Sequence, residues 1–395
     1  MAGERNAGID LGARASAGFF ILFSPLANGG AMAFPPLLAL CALIGAPWTR
    51  LWHAFRGQWL TVSLILAFAA WAAASAAWSA TPDTMQGWRV LALAALGLLF
   101  CAGAGRSARD RALVRAAALA GAVTLIPQAG AEALFDLFFN RLAQPDAIDP
   151  GALMRNPGRG ISALVVVFAT GFGGWLAGSP LTRWTALIAA PFVGWLSLQF
   201  DMAVNALALG AAAGAFVLGW LAPQLTILAA SFGLALWTLA APFALPVLLS
   251  RFATVIDALP DSWAIRAVIW RFVSERIIER PLIGLGIDGS RSFDQRTTTH
   301  GVEHALVPLH PHNAALQIWL ELGAIGALLA AAALIVGGLA AARAFRDNRL
   351  GGASVAALFV SAGLIANVSY GAWQEWWIAI LFAAAALAAA ARRSA

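Results

Sequence analysis

The chain of 395 residues contains no lysine, a single tyrosine and two cysteines, and charged residues make up only 11% of it. A soluble domain carries roughly a quarter charged residues, so the shortage of charge excludes an ordinary globular fold. Cys41 and Cys101 both fall inside apolar runs, with no CxxC or Cys/His spacing near them, which leaves neither a disulfide framework nor a cysteine-based metal site. The glycine-rich Leu285–Gly289 segment has no following Lys-Ser/Thr and no βαβ context, so it is not a nucleotide-binding loop. Internal repeats, low-complexity tracts other than Ala-rich helices and a soluble domain are all absent. The formal charge of +6 comes entirely from arginine over acid. Those arginines cluster between apolar runs, a pattern of membrane topology and not of a nucleic-acid partner.

What remains is apolar. Hydrophobic residues make up 61% of the chain and the mean hydropathy is +0.78. Several runs reach the ~20 residues that cross ~30 Å of hydrocarbon as a helix, and the alternation of a membrane barrel is missing. The expected fold is all-α, a polytopic integral membrane protein with about twelve transmembrane helices. They fall near 17–28, 31–46, 59–79, 87–104, 116–139 and 160–178, then near 184–200, 203–221, 225–249, 312–342, 351–368 and 373–391. The N-terminal stretch, with Arg5 and Arg14 ahead of apolar residues, reads as a retained first span. Arginine clusters at Arg50 and Arg56, Arg106 to Arg115, Arg183, Arg343 to Arg349, and Arg392 and Arg393 then fall on the side of the N-terminus, which the positive-inside rule makes cytoplasmic. The opposite side receives 140–158, the turns near Asp83 and Asp201, and the loop 250–311. Trp48, Trp52, Trp78, Trp88, Trp373 and Trp376 sit near span ends, as in an interfacial aromatic belt.

This divides the chain into 1–249, about nine spans; 250–311, a large loop; and 312–395, about three spans. The loop balances seven arginines with seven acids, so its arginines are not topology signals. Within it, Pro260-Asp261-Ser262 opens an amphipathic helix on the outer membrane face, with Trp263, Ile269, Phe272, Val273 and Ile277 at helical spacing. Pro281 ends it, and Gly284, Gly286 and Gly289 supply the following turn.

Four of the five histidines lie between 280 and 326. His300-Gly301-Val302-Glu303-His304 matches the HxxEH arrangement in which helical histidines bind zinc. Thr297 to Thr299 and Gly301 are poor helix formers and no third ligand is in register, so a polar loop near a substrate entrance is the better reading. His310-Pro311-His312-Asn313 stands where loop becomes helix. An imidazole there is either a neutral base able to accept a proton or an interfacial cap. Arg155-Asn156-Pro157-Gly158-Arg159 precedes the apolar ISALVVVFATG; its arginines either snorkel or clamp an anion, for which a guanidinium fork suits phosphate.

His312-Asn313, nine residues, then Gly323-Ala324-Ile325-Gly326 resembles the H[NSP]-x9-GxxG pattern of the O-antigen ligases. ERPLIGLG, LQIWLELGAIG and the large outer loop resemble the wider O-antigen ligase and polymerase superfamily. The resemblance implies a glycosyltransferase of the bacterial inner membrane that uses neither metal nor cofactor, with both termini cytoplasmic and the active site at the periplasmic face. A glycan moves from undecaprenyl diphosphate to lipid A-core with inversion, or to a second lipid-linked glycan in a polymerase. It also implies catalytic roles for His312, for Arg159 in PGRGISALVVVF, and for Arg266 ahead of Trp270. Arg155, Arg280, His310, Asn313 and Gln317 are candidate substrate-binding residues. Glu321 is expected to be structural or gating, and Gly323 and Gly326 to permit close helix packing. NVSYGAWQEWW, with Asn367, Tyr370, Gln374 and Glu375, is similar to polymerases as much as to ligases. A transporter of lipid-linked sugar is the competing class, disfavoured because charge within the spans lies near their ends.

Overall fold

The computed structural model describes residues 10–392 except 82, 83, 106, 148 and 300. Arg5, Asp83, Arg106, His300 and Arg393, named above, lie outside the described residues. The chain runs through α1 (Leu11–Ile21), α2 (Phe23–Asn28), α3 (Phe34–Gly45), α4 (Leu51–Ala54), α5 (Trp59–Ala74), α6 (Gln86–Gly103), α7 (Ala108–Leu134), α8 (Phe138–Ala143) and α9 (Pro150–Leu176). It continues through α10 (Pro180–Leu196), α11 (Ala203–Leu221), α12 (Pro223–Arg251), α13 (Ala253–Asp257) and α14 (Asp261–Ile277). A hairpin of β1 (Arg296–Thr299) and β2 (Val302–Ala305) then leads to α15 (Ala314–Ala344), α16 (Arg349–Val368) and α17 (Glu375–Ala390). The protein is all-α and polytopic. Each of the twelve apolar runs holds a helix. Among the described residues, eight helices are long and apolar enough to cross a membrane, or nine if the pair Phe34–Gly45 and Trp48–Ala54, bent by 69°, counts as one. Leu11–Ile21 and Glu375–Ala390 are shorter apolar helices.

Polar contacts between neighbouring helix ends sort the bundle into two ends. At one, the Asp10 amide donates to Asp110 (3.0 Å), the Trp175 indole to the Arg115 carbonyl (2.8 Å) and Asn348 to the Ala391 carbonyl (2.9 Å). Arg109, Arg111, Arg183, Arg343, Arg346, Arg349 and Arg392 all belong to this end. At the other end Gln86 donates to the Trp373 carbonyl (2.8 Å), Ser162 meets Tyr370 (2.9 Å), and the buried Glu132 accepts from Asn28 and Asn140 (2.7 Å each). The long loop is at this second end. α9 runs through the middle, and Ile161 to Val167 are all buried.

Two helices start earlier than the apolar pattern indicates. Ser107 and Asp110 form a reciprocal capping box that opens α7 at Ala108, so Arg109, Arg111 and Arg115 are helical. Asp149 caps the amide of Gly151 and opens α9 at Pro150, whose missing N–H is harmless in a first turn. Pro157 is thus inside α9, and Arg159 sits in its third turn instead of at its start. The aromatic belt also needs correction: Trp48, Trp52 and Trp88 are exposed, but Trp373 and Trp376 are buried.

α14 forms where its amphipathic pattern places it, but its apolar face is covered by protein. Ile269, Val273 and Ile277 pack on Ala241 and Leu245 of α12 and on Leu316, Trp319 and Leu320 of α15. The segment after it is bound up with a break in α15. Gly323 has φ +64 and ψ −165 inside an otherwise helical run, leaving backbone groups on both sides of it without helical partners. The chain from Pro281 to Gly286 fills them. The amides of Leu285 and Gly286 donate to the carbonyls of Leu320 and Glu321 (2.8 Å each), and those of Ala324 and Ile325 donate to Pro281 and Leu282 (2.8 and 3.3 Å). Gly323 therefore serves a backbone break against Leu282, in place of the helix packing expected of it. A Cβ there would run into the Leu282 carbonyl, and one on Gly284 (φ +66) into Glu321. Gly326, expected to have the same packing role, faces Leu322 of its own helix.

Glu321, wholly buried, ties this break to the C-terminal turn. Its carboxylate accepts from the amides of Asp288 (2.7 Å) and Ser290 (3.3 Å), from the Trp373 indole (2.6 Å) and from Gln317 (3.1 Å).

Two variants and one control, Gly337→Ala, test this core. Gly323→Ala should lower the thermal stability of the detergent-solubilised protein by on the order of 3 kcal/mol, the sum of an alanine held at a φ/ψ pair essentially open only to glycine and a forced backbone shift. Gly337→Ala, where a Cβ meets only Thr61 at 3.8 Å, should leave it unchanged. Glu321→Gln places an amide among donors and should cost about 2 kcal/mol, with faster amide exchange at Asp288 and Ser290. Wild-type stability in both variants would contradict the arrangement.

Candidate active site

The site grows from the backbone before α15. Asn313 is the N-cap, its side-chain oxygen accepting from the Leu316 amide at 3.0 Å. The residue before it, His312, has φ +55, a conformation that non-glycine residues adopt only when held. It is held from several sides. The Trp270 indole of α14 donates to the Pro311 carbonyl (2.9 Å), and the His312 amide donates to Nδ1 of His310 (3.2 Å). The two imidazoles lie 4.4 Å apart.

The contact that decides the chemistry of His312 is between its Nδ1 and the carbonyl of Ser369, at 2.6 Å. A carbonyl can only accept, so Nδ1 carries the proton and Nε2 keeps its lone pair. Burial pushes the imidazole pKa down to about 4; the Ser369 bond acts upward and the nearby Arg266 charge downward. The ring is neutral at pH 7. His310, buried, is held well below the ordinary histidine range by burial first and then by His312, Arg291 and Arg266.

Arg266 and His312 line the same cavity of about 360 Å³, with Asp261, Ile269, His304 and Pro308. The guanidinium leans on the Trp263 ring at 5.3 Å and donates to the Ser262 carbonyl at 2.6 Å, while its Nε is buried with no hydrogen-bond partner among the described residues. Burial lowers the Arg266 pKa. Arg159 is one step removed: it acts on Tyr370, the residue after Ser369. Burial raises that phenol to about 12 against the pull of Ser162 and Arg159. Arg155 is exposed and paired with Asp149 at 3.5 Å, which leaves Arg159 as the half-buried arginine of α9.

Other expected residues take different places. Gln317 spans the site, accepting from the Ala372 amide (2.8 Å) and donating to Glu321. Asn313 is buried, and its Nδ2 lacks a partner among the described residues. Arg280 is exposed at the start of the docked segment and is not among the residues of the Arg266 cavity. Of the HxxEH residues, Val302, Glu303 and His304 lie on the strand β2 and not on a helix, with Glu303 paired to Arg296 (2.6 Å) and His304 Nε2 2.8 Å from Asp261.

Sequence reasoning missed four contributors. Arg291, paired with Asp288 at 3.2 Å, reaches the surroundings of His310 and was one loop arginine among seven. The Ser369 carbonyl is a backbone group and has no sequence signal. Gln374, 3.1 Å from His310 Nε2, and Trp373 lay in the C-terminal motif noted above, but nothing in their spacing aimed them at His310 and Glu321. Gly371 allows this approach, since a Cβ there would press on the His310 ring.

This region is also where the chain is similar to known proteins. A family model described as O-antigen ligase matches residues 151–331, which include Arg159, the loop, His312 and the break at Gly323. A proposed polysaccharide ligase of Rickettsia conorii is 36% identical over 125 residues, covering 31% of this chain and 30% of that protein. A similarly named protein of Rickettsia bellii is 37% identical over 122 residues, 30% of this chain and 29% of its own length. The match thus spans about a third of the length of these relatives. Through residues 151–331, the segment that holds its candidate site, the chain is similar to the O-antigen ligase family.

Proposed function

We propose that the protein transfers a glycan from a lipid-linked diphosphate donor, undecaprenyl diphosphate, to a hydroxyl of lipid A-core. The observation that carries this reading is the cavity shared by Arg266 and His312, whose Nε2 is left as the free base nitrogen by the Nδ1–Ser369 bond. A neutral base beside a guanidinium suits a reaction in which a hydroxyl loses its proton while a diphosphate leaves with negative charge.

In the proposed step the acceptor oxygen attacks the anomeric carbon and His312 Nε2 takes its proton. The bond from that carbon to the diphosphate oxygen breaks, and the electron pair leaves with the diphosphate. Attack opposite the leaving group inverts the centre. Arg266, and Arg159 from the Tyr370 side, stabilise the departing charge. Arginine clusters at the far end of the bundle support a cytoplasmic position for that end and a periplasmic one for the site. His310, Gln317 and Glu321 position the machinery. The break at Gly323 resembles the discontinuous helices of transporters, and Glu321 places a buried carboxyl group beside it. The docked Pro281–Gly286 segment already occupies the broken backbone, which favours a fixed scaffold over a transport gate.

A polymerase is the second reading. The C-terminal turn with its Ser369 carbonyl, Trp373 and Gln374 is built into the site, and this is the motif similar to polymerases.

Reconstitution of the full chain with lipid-linked donor and either lipid A-core or a second donor tests the proposal. The expected product is glycosylated lipid A-core, formed equally in EDTA; extension of the donor alone would establish the polymerase, and no transfer to either would contradict both. His312→Ala should reduce turnover by about 10²–10⁴-fold, and Arg266→Ala and Arg159→Ala by about 10²–10³-fold each, with protein abundance unchanged. Because the neutral imidazole is the active form and its pKa is lowered, the acid limb of kcat/KM should lie near pH 4 to 5 and not at 6.5.

A further inference from the structure

At the arginine-rich end of the bundle, α5 and α6 part from α15, α16 and α17 around a cavity of about 1590 Å³. It shares no lining residue with the His312 cavity, and the transfer reaction gives it no task. Pockets for small molecules hold about 300–1,000 Å³, so this one has room for a larger guest.

The lining is divided by polarity. Val62, Ile65, Leu98, Leu358 and Phe382 make an apolar depth. α17 is buried over most of its length, yet Ala385 is exposed because it faces this space. The rim is charged. Among the described residues, Arg50, Arg109, Arg111 and Arg392 stand there against Asp10 and Asp110. Arg392 leans on the Phe345 ring at 5.9 Å, and its buried Nε has no hydrogen-bond partner among the described residues. Apolar walls below a basic rim are what basic pockets between transmembrane helices present to lipid headgroups. The guanidinium forks of the rim suit the oxygens of a phosphodiester. Two carboxylates at the same rim oppose the higher charge of a phosphate monoester or diphosphate.

We propose that this cavity binds an anionic glycerophospholipid, with its chains in the apolar depth and its phosphodiester on Arg50 and Arg392. The site is separate from the catalytic end, so the lipid is a resident of the fold and not the donor.

The test is lipid retention by the detergent-purified full chain, followed by native mass spectrometry. The probes are phosphatidylglycerol, phosphatidylcholine with the same chains, and a polyprenyl phosphate. Phosphatidylglycerol should be retained about tenfold more strongly than the other two. Arg50→Gln with Arg392→Gln should bring it down to the phosphatidylcholine level. Ala385→Trp, which fills the depth, should reduce both phospholipids, and His312→Ala should change nothing. Arg50 is exposed, so Arg50→Gln alone is safe for folding and should still weaken phosphatidylglycerol several-fold. Equal retention of the two phospholipids, preference for the polyprenyl phosphate, or arginine variants that bind as wild type would each overturn the proposal.

Discussion

A helix broken inside an apolar bundle leaves amides and carbonyls that water cannot reach, and each one left unpaired in such surroundings costs several kcal/mol. The pairing of Leu320, Glu321, Ala324 and Ile325 with the chain from Pro281 to Gly286 meets that requirement. It also fixes where the large loop begins relative to α15. α14 is anchored just before the docked segment, the turn at Asp288–Ser290 just after it, and both are fastened to α15, the latter through the Glu321 carboxylate. The same carboxylate holds Trp373, so the C-terminal turn cannot move independently of the loop. Loop, helix and turn form one unit because of a break that no isolated helix would tolerate.

From that unit the character of His312 follows. Its carbonyl partner belongs to the turn after α16, its indole support, through Pro311, to α14, and its cap to α15. Three separate parts of the chain thus place one imidazole in a left-handed conformation with a chosen tautomer. Enclosure keeps it uncharged, and Arg266 across the cavity adds to that preference. A base in this state takes up a proton only when something nearby becomes more negative, as a departing diphosphate does in the proposed reaction.

The overall class was legible because its cause is local: apolar runs of helical length have few alternatives in a bilayer. α14 was legible from Pro260-Asp261-Ser262 and its period, although not that α12 and α15 would cover it. The motif carrying His312 and Gly323 was legible as a pattern, but the meaning of Gly323 was not. A glycine in an apolar helix is ordinarily a packing residue, and its φ of +64 depends on a segment some forty residues earlier. The start of α9 was misjudged for a related reason. Pro157 and Gly158 look like a boundary, whereas the effective signal was Asp149 followed by Pro150. Trp373 and Trp376 read as interfacial because tryptophan near a span end usually is; their burial comes from Glu321 and Gln374 accepting their N–H groups. What sequence could not supply in each case was the distant partner.

The central claim is that the fold delivers His312 neutral, with its proton on Nδ1 and Nε2 open. Nitrogen-15 NMR of histidine-labelled protein, with the His312 signals assigned by comparison with His312→Gln, measures this directly. The account predicts the Nδ1–H tautomer of a neutral ring persisting from pH 7 to pH 5. An imidazolium at pH 6, or a proton on Nε2, would contradict it.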